Sequence, residues 1–436
     1  MQQRTRRRAA AAAAVLTVSA LTLAACGSSE EAGQGEVLNW YINPDGGGTD
    51  PAGGGQAQLA KECTDASDGK YTIRVQVLPN SASDQRQQLL RRLAASDSSV
   101  DIMSIDPVFV AEFAEAGFLA KVPEQYAEEF VSDAVDPIVS SAMWKDEIYA
   151  APFWANTQLL WYRKSMADKA GLDMSKPVTW DQLIEAAKKD NKYISVQASR
   201  YEGYMVWINA LIEGGGGSIV ENPGADGADL KFGLNSEAGT KAAEIIAKVS
   251  KEGVGGPAMS STDETTSLDM FQNEQSAFMV NWPYVYAAMK GADVEWIDDV
   301  AWVRYPRTVE DQESRPPLGG IEMGVNESST KKDAAWEAVS CLTSEQSQVT
   351  YMVGTGNPAA RKKAYDDKKV RDAFPMAPLI RDSLDGGAPR PLTQYYGDVS
   401  SGIQREYSPP SGVNPSSTPK QTTTLLQDVL KGDALL

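Results

Sequence analysis

Three side chains stand where a predicted strand or a stiff segment ends, and their types suit hydrogen bonding and aromatic stacking. Asp106 directly follows an apolar strand, Trp282 closes another, and Arg390 lies between two prolines. A carboxylate accepts hydrogen bonds, a guanidinium offers planar donors, and an indole offers a flat apolar face. Each also has a structural explanation: a helix cap for Asp106, a core side chain for Trp282 and a surface ion pair for Arg390.

The sequence contains no histidine. Its absence excludes Ser-His-Asp and Cys-His nucleophilic systems and any zinc site with a histidine ligand. A glycosidase that uses two carboxylates, here Asp106 and Glu264, is still chemically allowed. On its own, Glu264 in the polar segment STDETTS is typical of a helix start or a solvated surface. The acidic segments lack the alternating oxygen ligands of an EF-hand, so we expect no metal and no cofactor.

A second group of residues could line the same site. Trp154 could be either a stacking platform or a packing residue between lobes, and the others lie near predicted strand or helix ends. The group consists of Asn43, Asp84, Gln85, Trp154, Tyr395 and Tyr396.

The N-terminus predicts export and a lipid anchor. A basic segment with Arg4 and Arg8 precedes the apolar run Ala9–Ala25, which is too short and too alanine-rich for a spanning helix. The run ends in LAACG, which resembles the lipobox in which a cysteine, here Cys26, receives lipid. We therefore expect a signal peptide over 1–25 and a Gly/Ser-rich tether over 26–35. The alternative is an ordinary signal peptide that contains a cysteine by chance.

The net charge limits the functions that the chain can have, and its cysteines predict a crosslink. Removing residues 1–25, with four arginines and no acidic residue, lowers the formal net charge from −18 to −22. Such a surface argues against nucleic-acid binding or binding to an anionic membrane. Outside Cys26, the cysteines are Cys63 and Cys341, an even pair that predicts a disulfide in an oxidising compartment, although two buried free thiols are the alternative.

Apolar strands alternate with amphipathic helices, which predicts an α/β fold. Strands over Val37–Ile42, Tyr71–Leu78 and Val100–Ile105, separated by helices, indicate a parallel, doubly wound start. Ile148–Arg163 looks like an extended crossing between two lobes. We predict an N-terminal lobe of 36–152 and 306–353, and a C-terminal lobe of 153–305 and 354–436. Discontinuous lobes of this kind suit hinge closure about a cleft.

Several motifs together resemble the family 1 extracellular solute-binding proteins of ABC importers, and most closely the trehalose-binding lipoproteins of actinobacteria. The resemblance runs through most of the chain after the signal peptide. The matching segments are DQRQQLLRRL (84–93), SIDPVFVAEFAEAGFL (104–119), NTQLLWYR (156–163), VWINALIEGGGGS (206–218), VNWPYVY (280–286), LGGIEMGV (318–325), AVSCL (338–342) and FPMAPLIR (374–381).

The resemblance implies a two-lobed periplasmic-binding-protein-like fold of type II, with a hinge and a ligand cleft between the lobes. It also implies that the sugar is bound by carboxylates, an asparagine and an arginine beneath a tryptophan. Carried over motif by motif, the sugar-binding residues are Asp106, Asn156, Glu264, Trp282, Gly319, Gly320 and Arg390.

From the residues and the resemblance together we predict a monomeric, non-enzymatic binding lipoprotein. It is expected on the outer face of the cell membrane, attached through Cys26, where it passes a disaccharide to the permease subunits of an ABC importer. Trehalose is the first expected ligand. Maltose or another α-glucoside is the alternative within this class, and a secreted carboxylate-pair glycosidase is the alternative outside it.

Overall fold

The computed structural model describes residues 35–44 and 49–436. The strands are β1 (Glu36–Ile42), β2 (Tyr71–Val77), β3 (Ile102–Ile105), β4 (Met143–Trp144), β5 (Glu147–Ile148), β6 (Ala150–Thr157), β7 (Leu159–Arg163), β8 (Tyr193–Ser195), β9 (Ser276–Asn281), β10 (Val300–Val303) and β11 (Leu318–Val325). The α-helices are α1 (Gln56–Ala66), α2 (Ala82–Ala94), α3 (Val110–Glu115), α4 (Glu124–Val131), α5 (Asp136–Ser141), α6 (Lys164–Ala170), α7 (Trp180–Asp190), α8 (Glu202–Gly214), α9 (Glu237–Lys251), α10 (Glu264–Gln272), α11 (Tyr284–Gly291), α12 (Lys332–Leu342), α13 (Glu345–Thr355), α14 (Lys368–Ala373), α15 (Ala377–Asp385), α16 (Tyr396–Tyr407) and α17 (Thr418–Lys431).

The first lobe is built on a five-stranded sheet in the order β2-β1-β3-β11-β6. β1 pairs in parallel with both β2 and β3, so the predicted parallel start is confirmed. β11 runs antiparallel to β3 and β6 and makes the sheet mixed. β3 is two residues shorter than predicted, because Val100 donates its backbone N–H to Asp97 in a turn instead of pairing.

The second lobe is built on a four-stranded sheet in the order β10-β7-β9-β8. β6 belongs to the first sheet and β7 to the second, with Gln158 alone between them. The buried Gln158 side chain donates to Gln197 Oε1 at 2.9 Å. The segment Ile148–Arg163 is therefore two consecutive strands in different sheets, and the chain returns to the first sheet between β10 and β11.

The α/β, two-lobed fold is as predicted, whereas the exact lobe limits stay a prediction. The segment that follows α15 packs α16 against α8 and α17 against α9, so the end of the chain covers helices of the second lobe. α16 also reaches the first lobe, where the rings of Phe109 and Tyr396 lie 5.8 Å apart. None of the described helices is both long and apolar enough to cross a membrane.

A disulfide joins Cys63 of α1 to Cys341 of α12, with the two Cα atoms 5.9 Å apart. Both helices pack against the same face of the first sheet, where Leu59 and Val339 belong to one buried cluster with Trp40. The crosslink connects residues 278 positions apart, so it closes most of the chain into a loop. It lies outside the cavity described below.

We expect the double variant Cys63→Ala/Cys341→Ala to have a free energy of unfolding lower by about 2–5 kcal/mol, because its unfolded chain is no longer restrained by that loop. Urea unfolding followed by circular dichroism measures the difference. Chemically reduced wild-type protein is the control and should show a similar loss. An unchanged unfolding midpoint in both samples would contradict the prediction.

Candidate functional site

A cavity of about 750 Å³ lies where strand ends of the two sheets meet. The residues Asp106, after β3, and Trp282, after β9, both line it, because each side chain directly follows a buried strand. All seven residues assigned by the resemblance line this cavity: Asp106, Asn156, Glu264, Trp282, Gly319, Gly320 and Arg390. Gln85 and Trp154 from the second group line it as well. Their roles in binding a ligand stay predictions.

Asp106 has two structural tasks at once. Its Oδ1 accepts a hydrogen bond from the backbone N–H of Val108 at 3.3 Å, which caps the short 3₁₀ turn Pro107–Phe109. The same oxygen accepts from Arg390 Nη2 at 2.7 Å. No hydrogen bond to Oδ2 is found within the described ranges. The cap explanation and a ligand-binding role are therefore compatible, because one carboxylate oxygen is still available.

Arg390 is not a surface residue, since only 4% of its side chain is exposed. Its Nη1 donates to Glu202 Oε1 at 2.5 Å, and its Nη2 donates to Asp106. The guanidinium thus joins the end of β3 to the start of α8. A planar fork held by two carboxylates has a fixed orientation, which is what a hydrogen-bond donor in a binding site requires.

Glu202 is a lining residue that the sequence interpretation missed. Besides Arg390, its carboxylate accepts hydrogen bonds from the hydroxyls of Tyr396 and Ser400 and from Gln404 Nε2. Burial raises the pKa of Glu202 above its ordinary value, and the charge of Arg390 acts in the opposite direction. The signal was present: an acidic residue opens a helix that is buried almost all round, and such a charge needs a partner.

Glu264 is the first residue of α10, next to the N-cap Asp263. Its Oε2 accepts from the Tyr201 hydroxyl at 2.6 Å, and the Trp282 side chain also hydrogen-bonds to this carboxylate. Burial raises the pKa of Glu264, and these donors partly offset the rise. The expectation of a helix start is correct, but the side chain faces the cavity instead of open solvent.

Trp282 is packed against the backbone of β11. A Cβ atom placed on Gly319 would lie 3.1 Å from the indole ring, which is closer than side chains normally approach. At Gly320 the backbone has φ +133°, and a Cβ there would lie 2.3 Å from the Trp154 carbonyl oxygen. Glycine is therefore needed at both positions. At Gly319 it lets the backbone approach the Trp282 ring closely, and at Gly320 it allows the positive φ angle.

Four candidates are not among the residues that line the cavity, and their roles in binding a ligand stay predictions. Asn43 is 1% exposed, with its carbonyl oxygen accepting from Gln56 Nε2 at 3.1 Å. Asp84 is exposed in the first turn of α2. Tyr395 lies beside Gly227, and Tyr396 is fully buried behind the cavity wall, where it supports Glu202. Period-two and helical patterns do not resolve which neighbour of a lining residue faces inward.

The lining residues that the sequence interpretation missed include four in two short segments. Ser199, Tyr201 and Glu202 precede or open α8, while Asp263 accompanies Glu264. Within the described ranges, no group of three or more Asp, Glu or Cys side chains is arranged to hold a metal ion. The cavity wall presents carboxylates, one guanidinium, amides and aromatic faces, which can hydrogen-bond to a polar ligand and stack against it.

Comparison with known proteins gives a consistent result. A family model described as bacterial extracellular solute-binding protein matches residues 58–378. A probable ABC transporter-binding protein of Deinococcus radiodurans is 26% identical over 337 residues, covering 74% of this chain and 77% of that protein. A mannitol-binding protein of Pseudomonas aeruginosa is 25% identical over 309 residues, covering 69% of each. The structure of maltose-bound MalE3 from T. maritima has a similar fold, with a TM-score of 0.76, 23% identity and coverage of 91% and 99%.

We expect Glu202→Ala to lower the free energy of unfolding by about 3–5 kcal/mol, because it leaves Arg390 buried with one of its two carboxylates missing. Glu237→Ala is a matched control: Glu237 is also the first residue of a helix but is exposed, so its loss should change stability by less than about 1 kcal/mol. Chemical unfolding of both variants measures the difference. Equal free energies of unfolding for the two variants would show that the hydrogen bonds and ion pairs around Arg390 contribute little to stability.

Proposed function

This chain belongs to the bacterial extracellular solute-binding protein family, and we propose that it captures a disaccharide between its two lobes and delivers it to the permease of an ABC importer. Trehalose is the first candidate ligand, and maltose or another α-glucoside is the second. The resemblance to trehalose-binding lipoproteins of actinobacteria supports trehalose. The likeness to a protein named for mannitol binding supports a polyhydroxylated ligand in general.

The observation that carries the proposal is the composition of the cavity wall. Trp282 presents an indole at the wall, while Asp106 and Glu264 offer carboxylate oxygens and Asn156 offers an amide. A pyranose needs both an apolar surface for its C–H face and acceptors and donors for its hydroxyl groups. A volume of about 750 Å³ falls within the roughly 300–1,000 Å³ of small-molecule sites.

The position of the cavity between the two sheets supports delivery of the ligand to the permease. A ligand that contacts strand ends of both lobes binds the closed arrangement more tightly than an open one, and so shifts the population toward the closed form. The permease would then distinguish loaded from empty protein by shape. No step in this scheme makes or breaks a covalent bond.

We place the protein at the outer face of the cell membrane, attached through lipid on Cys26. The supporting observation is the LAACG motif after a basic and apolar segment. Cys26 lies outside the described residues. The predicted tether over 26–35 also lies outside them, except for its last residue.

Trehalose at about 100 times its dissociation constant should stabilise the wild-type protein by about 2.7 kcal/mol. Trp282→Ala and Asp106→Ala should each abolish this ligand-dependent stabilisation, because they remove the stacking face or a hydroxyl acceptor. Thermal unfolding with trehalose, maltose and mannitol measures the effect. Trp302→Ala is the matched control, since Trp302 is partly buried in the second sheet outside the cavity.

The control variant should lose intrinsic stability while keeping its ligand-dependent shift. An unchanged shift in both cavity variants would remove the cavity from consideration as the binding site. A shift with none of the carbohydrates tested would argue against the proposed ligand class.

We expect Cys26→Ala to release the protein from the membrane fraction into the medium, because the lipid-accepting thiol is lost. Mass spectrometry of wild-type protein should find lipid on Cys26 at the mature N-terminus. Ser28→Ala is the control and should remain attached. Membrane retention of the Cys26 variant would contradict the anchor.

A further inference from the structure

The cavity has an uneven distribution of charge. Four carboxylates line it, those of Asp106, Glu202, Asp263 and Glu264, and Arg390 is the one basic side chain among its described lining residues. Arg390 forms ion pairs with Asp106, at 2.7 Å, and with Glu202, at 2.5 Å. One guanidinium is shared by two carboxylates at that end, so a positive charge offsets part of their negative charge.

The other end, which we call the α10 subsite, consists of Asp263, Glu264 and Tyr201. Asp263 Oδ1 accepts from the backbone N–H of Thr266 at 2.8 Å, and Glu264 accepts from Tyr201 and Trp282. Every one of these donors is uncharged. Across the described residues, no ion pair to either carboxylate is found. The N-terminus of α10 offsets part of the charge, but its effect equals only about half an elementary charge.

An independent feature of the same wall indicates that a polar ligand completes this site. Asn156 is 7% exposed and lines the cavity. Its Oδ1 accepts from the backbone N–H of Thr157 at 3.0 Å, while its Nδ2 donates no hydrogen bond within the described part of the chain. This amide nitrogen is therefore an available donor on the cavity wall, from which a ligand hydroxyl can accept a hydrogen bond.

We propose that the α10 subsite selects ligands by charge: it accepts a protonated amine on a sugar in place of a hydroxyl, and it excludes sugars that carry an acidic group. This inference rests on the proposed carbohydrate-binding function and defines the ligand class more narrowly. Neutral sugars bind through hydroxyl hydrogen bonds, and amine-bearing sugars gain an ion pair at Asp263 and Glu264.

The physical reason is the difference between hydrogen bonds to neutral and charged donors. A charge-assisted hydrogen bond is roughly twice as strong as a neutral one, so an ammonium group at Glu264 should bind about 10-fold more tightly than a hydroxyl. An acidic group would meet like charge at this end. At the other end, Arg390 already has two carboxylate partners and cannot compensate.

The test compares three versions of one disaccharide by isothermal titration calorimetry at neutral pH. They are the neutral sugar that binds (trehalose or maltose), its mono-amino derivatives with the amine at C2 or C6, and its uronic acid. The protein is the full chain after the signal peptide, as wild type and as Asp263→Asn/Glu264→Gln. Asparagine remains a good N-cap and glutamine keeps its acceptor oxygen, so the variant removes charge and preserves shape.

For the wild type we expect one amino derivative to bind about 10-fold more tightly than the neutral sugar and the uronic acid to bind at least about 100-fold more weakly. In the double variant the amine advantage should fall below about 2-fold, and binding of the acid should recover relative to the neutral sugar. Asp367→Asn is the control, because Asp367 caps α14 in the same way but lies outside the cavity. The Asp367→Asn variant should bind the amino derivative and the uronic acid with the same affinities relative to the neutral sugar as the wild type.

Equal binding of the acid and the neutral sugar, or an amine advantage that survives in the double variant, would overturn the subsite while leaving carbohydrate binding intact. Failure of every neutral sugar to bind would instead overturn the proposed function together with this inference. If the double variant does not fold, the two single variants are measured, and each should lose part of the amine advantage.

Discussion

The cavity between the two sheets depends on one buried cation. A guanidinium keeps its proton at any ordinary pH, so its burial requires carboxylates placed around it. The two carboxylates that pair with Arg390 are those of Asp106, 284 residues earlier in the sequence, and of Glu202, 188 residues earlier. One comes from the end of a strand in the first sheet and the other from the start of a helix. The wall of the cavity is therefore complete only when the last part of the chain has folded back onto both lobes.

The fold could be predicted largely from local patterns. The parallel start of the first sheet follows from three short apolar strands separated by helices, and it agrees with the pairing of β1 with β2 and β3. Ile148–Arg163 was recognisable as a crossing because its hydrophobic run is too long for one strand. The sequence did not show that the change of sheet occurs at Gln158 alone, since both flanking strands are buried and carry no alternating pattern.

Only some of the cavity-lining residues could be predicted from the sequence. Asp106 and Trp282 could be placed because each follows a buried strand, and strand ends of an open sheet lie at a cleft. Glu202 and Tyr201 were missed, because their contacts with Arg390 and Glu264 are distant in sequence. For Glu202 the acidic start of a buried helix was a usable signal. Tyr396 lies behind the wall, where its hydroxyl donates to Glu202, and its place among the ligand-binding residues stays a prediction.

The close approach of Gly319 to Trp282 limits how far the indole can move toward β11. The ring atoms that a Cβ at position 319 would meet first, at 3.1 and 3.3 Å, lie at the edge of the six-membered ring. A larger residue at position 319 would push the ring away from β11 and change the shape of the cavity, while every hydrogen-bonding side chain of the wall would keep its identity. The shape of the cavity therefore depends on a backbone position as well as on the side chains that line it.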